Sequence, residues 1–271
     1  MTSLAAQPSA PPLWRCFDDV PPGFGPSVVT LGVFDGVHRG HAHLIDHAVR
    51  AARARDLPAV VLTFDPHPAQ VLGLPRDTAR LSTLERRAAL AFELGVQAVC
   101  ALPFTREFAA LSPAAFVERV LVERLRAEVV AVGANFTFGH RASGTVDTLR
   151  DLGRKHGFST TSVDLLHELD ARCSSTRVRE CLRSGDLRGA EAALGRPHRV
   201  EGVLRPAGPG LSELVVVPDS ALPAAGRYLG RLDGNRSVVL WVSGEGRVFV
   251  ESAVGWDGRC EVDFIDRAGA R

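Results

Sequence analysis

The rhythm of apolar and polar positions changes twice along the chain. Up to residue 27 it has none. Proline, alanine and serine dominate a loose tail, in which only Leu13–Phe17 is apolar enough to dock on a body. From Val28 onward, runs of strand length, most of them largely apolar, alternate with stretches that repeat apolar residues at helical spacing. The runs are Val28–Phe34, Ala59–Phe64, Gln97–Phe104, Glu128–Gly133 and Ser159–Leu166. A helix is predicted over roughly 20 residues after Phe34, with Leu44, Ile45, Ala48, Val49 and Ala52 on its apolar face. Further helices are predicted over Thr83–Gly95, closed by glycine, over Pro113–Leu125, with proline in the first turn, and over Thr145–Gly157. Strands that are apolar throughout and alternate with helices predict a parallel sheet covered on both faces.

The second change follows two short predicted helices, Thr176–Ser184 and Leu187–Leu194. At Gly195-Arg196-Pro197-His198 the text becomes short valine-rich runs broken by Gly, Pro and Asp. Such runs predict a small antiparallel β module. The expected organisation is an N-terminal tail (1–27), an α/β domain (28–196) and the β module (197–271). In a parallel α/β sheet, ligands bind beyond the carboxyl ends of the strands. The loops after Phe34, Phe64 and Gly133 are therefore expected to converge on one cleft.

Composition narrows the function classes. The net charge of +1 gives no reason to expect nucleic acid or an anionic membrane as partner. Lys155 is the only lysine, so the positive charge is carried by arginine, whose planar fork suits phosphate. The five cysteines form no C-x-x-C pair and no zinc-like cluster with histidine, which leaves reduced, buried thiols as the expectation. The N-terminus lacks the basic and apolar regions of a signal peptide, and no run approaches the ~20 apolar residues that span a bilayer. A cytoplasmic protein, monomeric or weakly oligomeric, is expected.

The chemistry-bearing segments lie where the predicted strands end. Gly32-Val33-Phe34-Asp35-Gly36-Val37-His38-Arg39-Gly40-His41 leaves the first strand and opens the first helix. Helix N-termini attract phosphate through unpaired N–H groups and the positive end of the dipole. Two imidazoles aimed at one phosphate can hydrogen-bond the charge that builds as a nucleophile attacks. Thr63-Phe64-Asp65-Pro66-His67-Pro68 is a proline-stiffened loop after the second strand. Gly133-Ala134-Asn135-Phe136-Thr137-Phe138-Gly139 offers an amide at a strand end and two alternating aromatics. One of these is expected in the core and one against a flat ligand. Arg172-Cys173-Ser174-Ser175-Thr176-Arg177-Val178-Arg179 collects hydroxyls and arginines at a helix start, where the hydroxyls also serve as caps.

The first segment resembles the H-x-G-H motif of the nucleotidyltransferase superfamily. The ordered set, with LGVFDGVHRGH, F-x-P-H-P, N-F-x-F-G and S-S-T-x-[IV]-R, resembles the FAD synthetase module of bacterial bifunctional riboflavin kinase/FAD synthetases. The resemblance covers about residues 28–195. It implies a Rossmann-like nucleotidyltransferase domain that transfers AMP from ATP to FMN, giving FAD and pyrophosphate, with Mg2+ accompanying ATP. His38, His41, Asn135 and Arg179 are the implied catalytic residues. The implied ATP contacts are Gly32, Phe34, Gly40, His41, Arg172, Ser175, Thr176 and Arg179. Phe64, Pro66, His67, Asn135, Phe136 and Phe138 would line the flavin side. No protein-built metal cage is expected.

In the resembling family the second module is a β-barrel kinase with a G-x-P-T-A-N signature. The matching region here, His198–Leu214, has no P-T-A-N. Pro223-Ala-Ala-Gly226-Arg-Tyr228, Val250-Glu251-Ser252 and Arg259–Asp266 do resemble later parts of that kinase, and the helical tail is missing. A reduced barrel without kinase activity is the expectation. Two rival readings stay open: a nucleotidyltransferase acting on a modified flavin or another phosphate acceptor, and a flavin-binding paralogue without catalysis.

Overall fold

The structure is a computed structural model and describes residues 10–164, 166–168, 171–251 and 258–269. The side chains of residues 167, 168, 171 and 172 fall outside that description.

In chain order the elements are β1 (Leu13–Trp14), β2 (Ser27–Leu31), α1 (Arg39–Arg53), β3 (Ala59–Asp65), α2 (Pro68–Val71), α3 (Leu84–Glu93), β4 (Ala98–Pro103), α4 (Arg106–Ala109) and α5 (Pro113–Phe116). A π-helical stretch, Val117–Val122, continues α5. Then come β5 (Ala127–Gly133), α6 (Val146–His156), β6 (Ser159–Val163), β7 (His167–Glu168), β8 (Ala171–Arg172), α7 (Ser175–Ser184) and α8 (Leu187–Leu194). The chain ends in β9 (His198–Gly208), β10 (Leu211–Val216), β11 (Gly226–Leu232), β12 (Arg236–Val242), β13 (Val248–Glu251) and β14 (Gly258–Arg267). Among the described residues no helix is long and apolar enough to cross a membrane.

The chain packs as two compact units that interleave in sequence. One comprises Met1–Val33, Leu44–Val71 and Ala88–Val163; the other comprises Phe34–His43, Leu72–Arg87 and Asp164–Arg271.

The first unit holds a six-stranded sheet in the order β1-β4-β3-β2-β5-β6, parallel at every pairing. Every residue of β2 is buried, as are the first five of β3 and of β4, so the sheet is covered on both faces. The α/β expectation is met. β1 is the docked part of the N-terminal segment: Leu13 and Trp14 pair with Val99 and Cys100 of β4, and Trp14 is buried edge-on against Phe24. The predicted helix 113–125 is α-helical for one turn only. It then widens, with Glu123 N–H donating to Glu118 and Leu125 N–H to Val120, which lays Val117, Val120, Leu121 and Leu125 in the core. The short helices α2 and α4 are too brief to show a period in sequence.

The second unit holds a closed six-stranded barrel in the order β10-β13-β12-β11-β14-β9, antiparallel throughout. Alternate residues point inward: Tyr228, Gly230 and Leu232 on β11, and Val238, Leu240 and Val242 on β12. These side chains share one core with Val178 and Leu182 of α7, Leu187, Ala190 and Leu194 of α8, and Leu81. The segment before α3 is tied to the barrel. Arg80 N–H donates to Asp219 O at 2.6 Å, Ala221 N–H to Arg80 O at 2.8 Å, and the Thr83 hydroxyl to the Glu201 carboxylate.

The thiols of Cys100, Cys173, Cys181 and Cys260 are buried. Burial pushes Cys100 up to about 12 and Cys260 up to about 11, so neither is a ready nucleophile.

His198 opens the barrel at 2% exposure. Its Nε2–H donates to Ala221 O at 2.7 Å, which leaves Nδ1 buried without a partner. Protonating Nδ1 would bury a charge, and burial pulls the ring down to about 4. In the unfolded chain this imidazole takes a proton near pH 6.5. Between those values the unfolded state binds the extra proton, so stability falls as pH falls. The loss attributable to His198 should reach about 3 kcal/mol near pH 4. Chemical denaturation at pH 7 and pH 4.5 checks this. His198→Gln keeps the donor to Ala221 and cannot titrate, so it should lose less stability on acidification than the wild type.

Candidate functional site

The turn between β2 and α1 is shaped by backbone that few residues tolerate. Phe34 (φ 52°), Gly36 (φ 76°) and Val37 (φ 37°) are all left-handed within four residues. Strain of that kind persists only where the surroundings enforce it, and they do. Val37 N–H donates to Phe34 O, Gly36 N–H to Ser82 Oγ at 3.0 Å, and the Arg196 guanidinium to the carbonyls of both Gly36 and Val37. A Cβ on Gly36 would lie 2.8 Å from that of Leu81.

The turn delivers two histidines to the start of α1. Nδ1 of His38 accepts the His41 backbone N–H at 3.2 Å, so the imidazole caps the helix. Nε2 is then the nitrogen with a proton to give. The two rings stack with centroids 3.5 Å apart and an interplanar angle of 21°, and Phe34 meets His41 edge-on at 5.1 Å. Gly40 explains the glycine of H-x-G-H. A Cβ there would press at 3.1 Å on both the His38 ring and the Cys173 carbonyl.

His41 is half-buried, and its Nδ1 is enclosed with no protein partner. Desolvation comes first, then the imidazole of His38 and the guanidiniums of Arg87, Arg196 and Arg179, in holding its pKa well below the usual imidazole value. The ring is neutral near pH 7 and stands in a positive field: a poor place for a cation and a good one for phosphate oxygens.

The third segment starts α7. Ser174 is the cap, accepting Arg177 N–H at 3.2 Å. The Ser175 hydroxyl donates to the Asp35 carbonyl at 3.0 Å, and Thr176 is exposed on the first turn. Arg179 is 4% exposed: Nη2 donates to Asp35 Oδ2 at 2.5 Å and Nε to Ala79 O at 2.7 Å. His38, Gly40, His41, Ser175 and Arg179 thus belong to one constellation within the second unit. The side chain of Arg172 lies outside the described residues.

Asp35 was not singled out as a site residue from the sequence, yet it is the hub here. Besides Arg179 it holds Arg87 at 3.7 Å, and it accepts the Leu81 N–H at 3.1 Å and the Ser82 N–H at 3.2 Å. A buried pair like Asp35–Arg179 costs about 3–5 kcal/mol when one partner is removed. The signal was available: Arg87 is a charge on the otherwise apolar stripe Leu84, Ala88, Ala91, which requires a buried partner.

The aromatic residues of the first unit form a chain of rings. Phe64 meets Phe104 at 5.5 Å and Phe108 at 5.7 Å; Phe108 meets Phe116, which meets Phe138, which stacks on Phe136 at 5.6 Å. Phe138 is buried and Phe136 half-buried, while Asn135 is exposed in the turn after β5. Phe104 and Phe108, unnamed from sequence, link Phe64 to the other pair. His67 Nδ1 accepts the Ala69 N–H at 3.1 Å and so caps α2, beside exposed Pro66. Gly32 stays in the sheet register, its N–H donating to Leu62 O.

A sequence profile described as FAD synthetase matches residues 22–177, more than half of the chain. The chain belongs to the FAD synthetase family. Members of similar sequence include the bifunctional riboflavin kinase/FMN adenylyltransferase of Escherichia coli, 38% identical over 175 residues, 65% of this chain and 56% of that protein. The protein of the same description from Pseudomonas fluorescens is 36% identical over 253 residues, 89% of this chain and 79% of the relative. The chain spans little more than half the length of the first of these. In fold, this FAD synthetase family member resembles a crystal structure described as a macrolide-efflux protein from Streptococcus pneumoniae. The TM-score is 0.81 at 24% identity, over 94% of this chain and 90% of the other. That likeness concerns architecture, and it extends through sheet and barrel alike.

Among the described residues no three His, Cys, Asp or Glu side chains are grouped to hold a metal ion. Asp35 is enclosed by guanidinium and N–H groups. These residues do not make a cation site.

The low His41 pKa has a direct readout. In a histidine NMR titration, the His41 ring resonances should stay flat through pH 6.5 and move only at markedly lower pH. A midpoint near 6.5 would contradict the packing and charge described.

Proposed function

We propose that the chain adenylylates FMN: AMP passes from MgATP to the FMN phosphate, giving FAD and pyrophosphate. The observation that carries this reading is the stacked His38–His41 pair at the start of α1, neutral at His41 and ringed by guanidinium charge, in a chain of this family.

A terminal FMN phosphate oxygen attacks the α-phosphorus of ATP in line. The new O–P bond forms as the α–β bridging bond breaks, and pyrophosphate leaves with its charge. An anionic nucleophile needs no strong base, so the protein contributes position and charge. His38, from Nε2, and His41 hydrogen-bond oxygens of the α-phosphate. Gly32, Phe34 and Gly40 allow the backbone its close approach. Ser175 and Thr176 receive the leaving phosphates, with Arg172 and Arg179 supplying charge. Asn135 orients the acceptor. Phe64, Pro66, His67, Phe136 and Phe138 line the flavin side. Mg2+ is part of the substrate.

We assign no riboflavin kinase activity to residues 197–271. The region lacks P-T-A-N, and Glu251, the counterpart of the kinase carboxylate, is held by Arg227 Nη2 at 2.9 and 2.8 Å.

Incubation with MgATP and either FMN or riboflavin, followed by chromatography of the flavins, tests both statements. FAD should form from FMN, and no FMN should form from riboflavin. His38→Ala and His41→Ala should each lower kcat/KM by about 10²–10³-fold without unfolding the chain. Turnover unaffected by either change, or no FAD from the wild type, would overturn the reading.

A further inference from the structure

The Asp35 carboxylate is used to capacity. Oδ2 accepts from Arg179 Nη2 at 2.5 Å and from Leu81 N–H at 3.1 Å. Oδ1 accepts from Leu81 N–H, Ser82 N–H at 3.2 Å and Ser82 Oγ at 3.4 Å. Ser82 Oγ in turn accepts the Gly36 N–H, and the backbone carbonyl of Asp35 accepts the Ser175 hydroxyl. A carboxylate offers about four lone-pair directions. None is left for abstracting a proton or binding a cation, so Asp35 at 2% exposure is neither a base nor a metal ligand.

Its partners instead come from three separate pieces of sequence: the H-x-G-H turn, the strap 79–82 and helix α7. Each carries or abuts a residue assigned above to ATP. Arginine has a long, many-rotamer side chain, and ordering it on binding costs affinity. Asp35 and the Ala79 carbonyl together remove that freedom before ATP arrives. Proximity alone would allow a purely structural ion pair, but the backbone bond to Ser175 and the hydroxyl relay to Gly36 place the same residue against both phosphate-binding segments.

We infer that Asp35 is the positioning residue of the ATP-phosphate half of the site, fixing Arg179 and the 79–82 strap against the His38–His41 turn. The inference rests on reading this unit as the ATP site. It predicts a selective defect, because none of the Asp35 partners belongs to the flavin-side set.

The test compares full-length wild type and Asp35→Asn, with thermal unfolding recorded for each. MgATP binding is measured by calorimetry, and KM is determined separately for ATP and FMN. Asparagine keeps the shape and loses the charge. The Kd and KM for ATP should rise about 10-fold or more, as for loss of a charge-assisted pair, and KM for FMN should stay within about twofold. Unchanged ATP affinity in a folded variant, or an equal rise in both KM values, would overturn the inference. Should Asp35→Asn fail to fold, Ser82→Ala removes only the hydroxyl relay. Its ATP Kd should rise about fivefold, and an unchanged Kd would be equally fatal. Wild-type protein that binds ATP yet makes no FAD overturns adenylyl transfer alone, and Asp35 is then judged on Kd. Wild-type protein that does not bind ATP overturns both.

Discussion

A single buried carboxylate sets the geometry of the turn, strap and helix to which phosphate binding is assigned above. Asp35 sits in a turn with Phe34, Gly36 and Val37 in left-handed backbone, which the chain would not adopt unaided. The hydrogen bonds to Leu81 and Ser82 and the ion pair with Arg179 offset that strain and convert a flexible loop into a fixed one. The same bonds determine what the histidines can do. Once the turn is held, His38 must cap α1 with Nδ1 and present Nε2, and His41 must stack beneath it among arginines. Burial is the main reason His41 stays neutral, and the Asp35 network adds to it by gathering Arg87 and Arg179 there.

This arrangement gives the β-barrel a role independent of any chemistry of its own. The apolar barrel interior is continuous with the inner faces of α7 and α8, and Leu81 of the strap is sealed into the same core. Arg80 exchanges backbone bonds with Asp219 and Ala221, and Thr83 is tied to Glu201. A helix as short as α7, ten residues, has little stability except through packing. In this unit the packing partner is the barrel.

Much of the fold was legible because its signals are strong ones. Buried parallel strands such as Val28–Leu31 and Ala59–Leu62 are almost wholly apolar, and barrel strands such as β11 alternate in step with their pleat. The positions of two motif segments were legible too: the H-x-G-H segment opens α1 and the hydroxyl-rich segment caps α7, as glycine turns and hydroxyl caps suggest. What sequence could not give was partnership. Asp35 and Ser82 look unremarkable one by one, being 47 residues apart, and only folding makes them neighbours. Arg179 shows the same limit. Its motif suggests an open phosphate clamp, whereas its guanidinium is enclosed and already holds a carboxylate. Phe104 and Phe108 were missed for a related reason. Nothing in their local spacing reveals that they bridge Phe64 to Phe138.

The topology explains why the chemistry-bearing segments follow those strands. β2 lies between β3 and β5, so the chain runs outward through β3 and β4 and then returns to pair β5 on the opposite side of β2. In open α/β sheets, ligands bind beyond the carboxyl ends of the strands where the strand order reverses. The loop after β2 carries the two histidines, and the loop after β5 carries Asn135 and the Phe136–Phe138 pair. A donor polyphosphate needs a rigid, positively charged cradle, and a flat acceptor needs aromatic walls. The two histidines follow β2, and Asn135 with the Phe136–Phe138 pair follows β5. Asp35 stiffens the first alone, which is why a change there is expected to separate the energetics of ATP from those of the acceptor.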